Sequence, residues 1–196
     1  MAYLTREEYT AYISALVSNR QVDYGTAEVQ MLDTLLAQAQ LFIEEITGRK
    51  FEARDQTRYF SARDQVYHDP KLLLVDDDLL EVTTLTNGNG EVIDASKFLL
   101  WPLNDTPHFG IRLKSTASWV FGSEEVVSVA GKWGYSTTPS ALIKRLTARV
   151  TRHIEQTRSA TGVVTVFGDG TRSFEASLPA DVRDLLRLYT RRRGNH

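Results

Sequence analysis

The chain has 196 residues, 42% hydrophobic and 24% charged, with a net charge of −2 and no cysteine. That is room for one domain, or for one domain with a substantial insertion, and it excludes disulfides, thiolate catalysis and cysteine-ligated zinc. No run approaches the roughly 18 apolar residues that cross a bilayer, and the opening Met1-Ala2-Tyr3-Leu4-Thr5-Arg6-Glu7-Glu8 is too polar for a secretory signal, so the expectation is a protein in solution with no membrane partner.

Thr5-x-x-Glu8 is a capping-box pattern, and Tyr9, Tyr12, Ile13, Leu16 and Val17 behind it form one apolar face, which predicts a helix over 6–18. After a loop over Asn19 to Gly25, Thr26 opens a longer helix over 27–47. Val29, Leu32, Leu36, Ala39, Ile43 and Ile46 recur in it at spacings of three and four, and Gly48 stands where a left-handed cap ends it. At Phe51 the pattern changes to short β-prone runs: Gln56–Phe60, Leu72–Val75, Leu80–Leu85, Phe98–Trp101, Gly110–Lys114 and Glu125–Ala130. Turn residues separate them, including Asn87-Gly88-Asn89-Gly90, and the spacing predicts an antiparallel sheet or sandwich without βαβ rhythm. Helical periodicity returns after Pro139 through Leu142, Ile143, Leu146, Val150 and Ile154. Val163–Phe167, Gly168-Asp169-Gly170 and Thr171–Ala176 read as a second hairpin.

The final helix has its apolar stripe at Val182, Leu185, Leu186 and Tyr189 and its cations at Arg183, Arg187, Arg191, Arg192 and Arg193. A helix half apolar and half arginine docks on something, either a partner or the chain's own core. The charge is unevenly spread: residues 1–141 hold 12 Lys/Arg against 20 Asp/Glu, and residues 142–196 hold 11 against 5. Such a split of −8 and +6 fits different partners at the two ends, or head-to-tail packing of acidic on basic surfaces, or a solvated arginine-rich face.

Catalytic chemistry needs convergent groups, and few candidates exist. His68, His108, His153 and His196 show no metal-ligand spacing. Counted from Asp76, the run Asp76-Asp77-Asp78 puts Leu80 and Glu81 where a calcium loop wants an oxygen ligand and a glycine, so it reads as an acidic turn before a strand. Neither glycine turn leads into a helix N-terminus that could hold phosphate. Asn104-Asp105-Thr106 matches a glycosylation sequon without the context that would use it. Trp101, Trp119 and Trp133 read as core or interface residues. No enzyme, metal or cofactor is expected. Arg145, Arg149 and Arg152 recur at helical spacing, which leaves a nucleic-acid-binding module in the arginine-rich C-terminal third as the alternative; a small enzyme or assembly chaperone is a third reading.

Three segments in order resemble the head–tail connector, or adaptor, proteins of long-tailed bacteriophages. The first is Ala39-Gln40-Leu41-Phe42-Ile43-Glu44-Glu45-Ile46-Thr47-Gly48-Arg49-Lys50-Phe51, a helix ending in a Thr-Gly-Arg-x-Phe turn. The second is Val126-Val127-Ser128-Val129-Ala130-Gly131-Lys132-Trp133-Gly134-Tyr135, a strand and Gly-x-Trp-Gly turn leading through Pro139 to a helix starting at Ala141-Leu142-Ile143-Lys144. The third is Phe167-Gly168-Asp169-Gly170 with Leu178-Pro179-x-Asp181-Val182 and the basic final helix. Against the compact members of that family the chain has an extra N-terminal helix and a larger β region.

The resemblance implies an α+β protein: a small helical bundle (1–51 and 136–160), an inserted, mostly antiparallel β region (52–135), and a C-terminal hairpin plus docking helix (161–196). It implies a structural virion protein of the head–tail junction, or neck, assembled in the bacterial host cytoplasm. It would form a homo-oligomeric ring, usually of twelve, beneath the portal. That ring would bind the portal protein above and a stopper or tail-completion protein below, and extend a channel through which double-stranded DNA passes without sequence-specific binding. The portal interface so implied is Val182, Arg183, Leu185, Leu186, Arg187, Tyr189, Arg191, Arg192 and Arg193.

Overall fold

In the computed structural model the capping box forms as expected. Glu8 N–H donates to Thr5 Oγ1 (3.2 Å) and Thr5 N–H to Glu8 Oε2 (2.9 Å), which starts helix α1, Arg6–Leu16. The structure describes residues 3–16, 26–121, 126–161 and 177–191. The loop expected over Asn19 to Gly25, the hairpin expected over 163–176, and Val17, Arg192, Arg193 and His196 lie outside them. Helix α2 is Thr26–Thr47 and ends at Gly48, whose φ is +63° and whose N–H donates to Glu44 O (2.9 Å). Helix α3 is Ala141–Thr161, opened by Ser140 rather than Pro139, since Ile143 N–H donates to the Ser140 hydroxyl (3.4 Å). The last helix, α4, is Ala180–Tyr189.

These helices belong to one unit, Met1–Gly48 with Pro139–Arg192. Its core takes Tyr9 and Ile13 from α1, Leu32, Leu35, Leu36, Ala39, Phe42 and Ile43 from α2, and Ile143, Leu146, Val150 and Ile154 from α3. Leu35 and Phe42 widen the buried face of α2 beyond the stripe read from spacing. Leu16 and Leu142, expected inside, are 49% and 37% exposed, because each lies in a terminal turn, at the end of α1 and the start of α3. Thr147 and Thr151 are buried on α3, and their hydroxyls donate to the carbonyls of Ile143 (2.9 Å) and Thr147 (2.8 Å), which satisfies them without a partner helix.

The second unit, Arg49–Thr138, holds a six-stranded sheet. Its strands are β1 (Arg54–Phe60), β2 (Gln65–Val66), β3 (Asp69–Thr86), β4 (Phe98–Trp101), β5 (His108–Leu113) and β6 (Val127–Trp133). Their order is β1-β6-β3-β5-β4, with β2 beside β3, and every pairing is antiparallel. With the four helices among the described residues this makes the protein α+β. Phe60, Leu73, Leu79, Leu85, Ile111, Val127, Val129 and Trp133 fill the sheet's apolar core, with Trp119 and Ile93 against them. Gly131 is sterically required: a Cβ there would lie 2.0 Å from Glu81 O on the neighbouring strand.

The acidic run is not a turn. Asp76, Asp77 and Asp78 lie inside the single 18-residue strand β3, at the irregularity where its partner changes. Leu72–Leu74 and Leu79 pair with β5, and Leu79–Thr86 with β6, so that Leu79 has a partner on both sides. Arginines make this possible. Arg58 reaches Asp76 (2.8 Å) and Asp77 (2.7 Å) while lying 4.8 Å over the Trp133 ring. Arg49 grips Asp78 through both carboxylate oxygens (2.7 and 2.8 Å) and lies 5.1 Å over Tyr135. The Asn87–Gly90 segment does form a tight turn, closed by Gly90 N–H to Asn87 O (2.9 Å), but it joins β3 to a single bridge, Thr86↔Val92, rather than to a full strand. The buried Asn87 side chain also holds the 118–120 segment, donating to Ser118 O (2.9 Å) and accepting from Val120 N–H (2.8 Å).

Since Asp78 is buried and paired, Arg49→Met should destabilise the protein by about 3–5 kcal/mol. Arg49→Met with Asp78→Asn should recover most of that loss. Urea unfolding followed by circular dichroism measures both.

Candidate protein-docking surface

Helix α4 is amphipathic, and its strongest apolar positions face inward. Val182 and Leu186 are 0% and 1% exposed, and Leu178 just before the helix is 3% exposed. The implied role of Val182 and Leu186 as partner-facing anchors is therefore corrected: they hold α4 against the chain's own helical unit, and groups so buried have no surface left to offer. Polar contacts fix the seat. Arg149 of α3 pairs with Asp181 in the first turn of α4, with a second contact at 3.0 Å. Arg191 N–H donates to Thr47 O (2.8 Å), occupying one of the carbonyls that the end of α2 leaves without a helical partner. His153 Nε2 lies 2.9 Å from the Ser177 hydroxyl.

The other side of α4 is open. Leu188 is 80% exposed, the Arg187 side chain is 64% exposed and 3.8 Å from Asp184, and Arg183, Leu185, Tyr189 and Arg191 are half-buried. Sequence spacing missed Leu188 because it falls off the stripe. The signal was its company, a leucine flanked by Arg187 and Tyr189 on an arginine-rich face.

The charge asymmetry of the sequence does not survive folding. The acidic early helices and the basic late ones share one unit, in which 12 Lys/Arg meet 12 Asp/Glu, while residues 49–138 hold 10 against 13. The pairing is local: Lys144 of α3 meets Glu8 of α1 (2.6 Å) and holds its carboxyl below the usual range, Arg149 does the same to Asp181, and Glu155 of α3 accepts from the Tyr9 hydroxyl (2.9 Å). Of the three helically spaced arginines, Arg149 is thus committed inside the chain, and Arg145 and Arg152 remain. His108, placed in a strand, has Nδ1 2.8 Å from Pro102 O, and His68 packs edge-on to Tyr67. Among the described residues no group of three His, Asp or Glu could hold a metal ion, and no helix is long and apolar enough to cross a membrane.

Leu186→Ala should cost about 2–5 kcal/mol of the protein's own stability, whereas Leu188→Ala should stay within about 0.5 kcal/mol; urea unfolding compares them. Burial holds His153 below its ordinary value of 6.5, so the unfolded chain takes up that proton first. The His153 contribution is full above about pH 6.5 and falls as the pH drops below it. His153→Gln should flatten that slope in melting temperature against pH.

No family model and no curated protein matches the sequence. Among solved structures the fold is shared with a chain in the neck of an empty gene transfer agent particle computed with C6 symmetry, at TM-score 0.59 and 16% identity, over 92% of this chain and 87% of that one. A chain in the neck of the native particle, computed with C12 symmetry, matches at TM-score 0.52 and 16% identity, over 80% and 81%. A chain in the virion of the native particle matches at TM-score 0.56 and 15% identity, over 92% and 87%. The likeness is one of fold, and it runs through both units rather than through the helices alone.

Proposed function

We propose that this protein is a structural neck component of a phage-like particle, an adaptor that forms a ring beneath the portal, joins head to tail and extends the DNA channel. The observation that carries the reading is the extent of the fold match: 92% of this chain onto 87% of a neck chain. A common structural module would match in part; this match extends over most of both chains. The role is non-enzymatic and virion-bound, and double-stranded DNA passes the ring without being read. Twelve copies is the number taken from the connector resemblance. In this reading the helical unit is the connector core and the sheet unit is the insertion.

In this reading the docking helix is α4, and burial divides its residues between two tasks. Val182 and Leu186 seat it, and Arg183, Leu185, Arg187, Leu188, Tyr189 and Arg191 form the face turned to the portal, with Arg192 and Arg193 beyond. Apolar anchors such as Leu188 and Tyr189 supply most of the binding, and the arginines speed encounter and confer salt dependence.

Native mass measurement of the protein mixed with the portal ring of its own particle tests this directly. The expected result is a complex with twelve copies of the chain per portal, and a chain that ignores the portal overturns the reading. Leu188→Ser with Arg187→Glu should leave the melting temperature unchanged and weaken portal capture by on the order of 1–3 kcal/mol per subunit.

A further inference from the structure

The sheet ends in two different edges. Strand β4 bears no charge, proline or bulge, and its four residues pair with β5 in unbroken register, Phe98↔Leu113 to Trp101↔Gly110. Lys114 N–H donates to Lys97 O (2.8 Å), so antiparallel alternation turns the main-chain groups of Leu99 and Trp101 toward β5 and those of Phe98 and Leu100 outward. Among the described residues, those outward N–H and C=O groups have no hydrogen-bond partner. Apart from its short length, this edge carries none of the devices (charge, proline, bulge) that usually block strand addition.

At the far end, β1 has, among the described strands, only β6 beside it. Each of the four steps from β1 to β4 is antiparallel, so β1 and β4 run in the same direction at opposite ends of the sheet. We infer that neighbouring copies of this chain join by adding β1 of one copy, in parallel, to β4 of the next. Copies related by rotation in a ring meet in this head-to-tail way, through two different patches, as closed heterologous assemblies require. The inference rests on the ring reading above and names its subunit contact.

Side chains select the register. On β1, Phe60 and Arg58 lie on the core side, while Asp55, Thr57 and Tyr59 (68% exposed) alternate to the other side. On β4, Phe98 and Leu100 pack on the core and Leu99 is 38% exposed on the opposite side. Placing Leu100 beside Arg58 of the neighbour keeps core faces together. The same register sets Leu99 beside Thr57, Trp101 beside Tyr59, and Lys97 beside the carboxylate of Asp55. A shift of two residues either way puts Lys97 beside Ala53 or Thr57 and loses the charge match. A four-residue ladder falls well short of the roughly 1,200 Å² of a standard stable interface, so the contact closes a ring on a template and does not hold a free pair.

The experiment uses the chain assembled on its portal. Asp55→Lys and Lys97→Asp should each lower the fraction of complete rings at least tenfold, and the double exchange should restore it, with melting temperatures unchanged throughout. Because the chain has no cysteine, Thr57→Cys with Leu99→Cys can be oxidised in the same complex. Covalent multimers are expected from the double variant and none from either single one. Covalent dimers from Leu99→Cys alone would show twofold β4 pairing and overturn the inference, as would wild-type rings that show neither the charge rescue nor cross-links. A wild-type chain that forms no ring on the portal would overturn the ring reading itself.

Discussion

Two buried aspartates, Asp77 and Asp78, can lie in the middle of a sheet only if their charge is met, and the two arginines that meet it hold the centre of the β unit together. Arg58 spans Asp76 and Asp77, Arg49 holds Asp78, and both lie against aromatic rings. With the charge neutralised, β3 stays one strand, pairing first with β5 and then with β6. Were it to break there, one sheet would become two, each with its own pair of edges. Along its main path the sheet runs from β1 at one end to β4 at the other, two strands in the same direction, with β2 paired to β3 off that path; such ends are what a head-to-tail assembly uses.

The helical unit shows the same economy of charge. A sequence split into acidic and basic halves looks built for two partners, yet the chain returns on itself: Lys144 of the basic part meets Glu8 of the acidic part, and Arg149 finds Asp181 within the basic part itself. What is left outward is local rather than global, including the exposed Arg145 on α3 and the arginines and Leu188 on the open side of α4.

Local signals read well from the sequence. The Thr5–Glu8 capping box, the Gly48 stop, the Phe98–Trp101 strand and the α+β class all follow from patterns within a few residues. Three readings needed the third dimension. Asp76-Asp77-Asp78 resembled a turn because the neutralising Arg49 and Arg58 are 18 to 29 residues away in sequence. The stripe of α4 gave amphipathicity but not its direction, since a buried Val182 looks the same whether its cover is the chain itself or a portal. Leu188 was invisible to periodicity because an exposed leucine has no reason to keep the core's spacing.

The central claim is that this chain sits in a neck, and cryo-electron microscopy of the mature particle that carries it tests that most directly. The account predicts one closed ring of the chain between portal and tail, with α4 against the portal and each sheet edge β4 beside β1 of the next copy. A particle whose portal meets the next neck protein with this chain absent from the junction would contradict it.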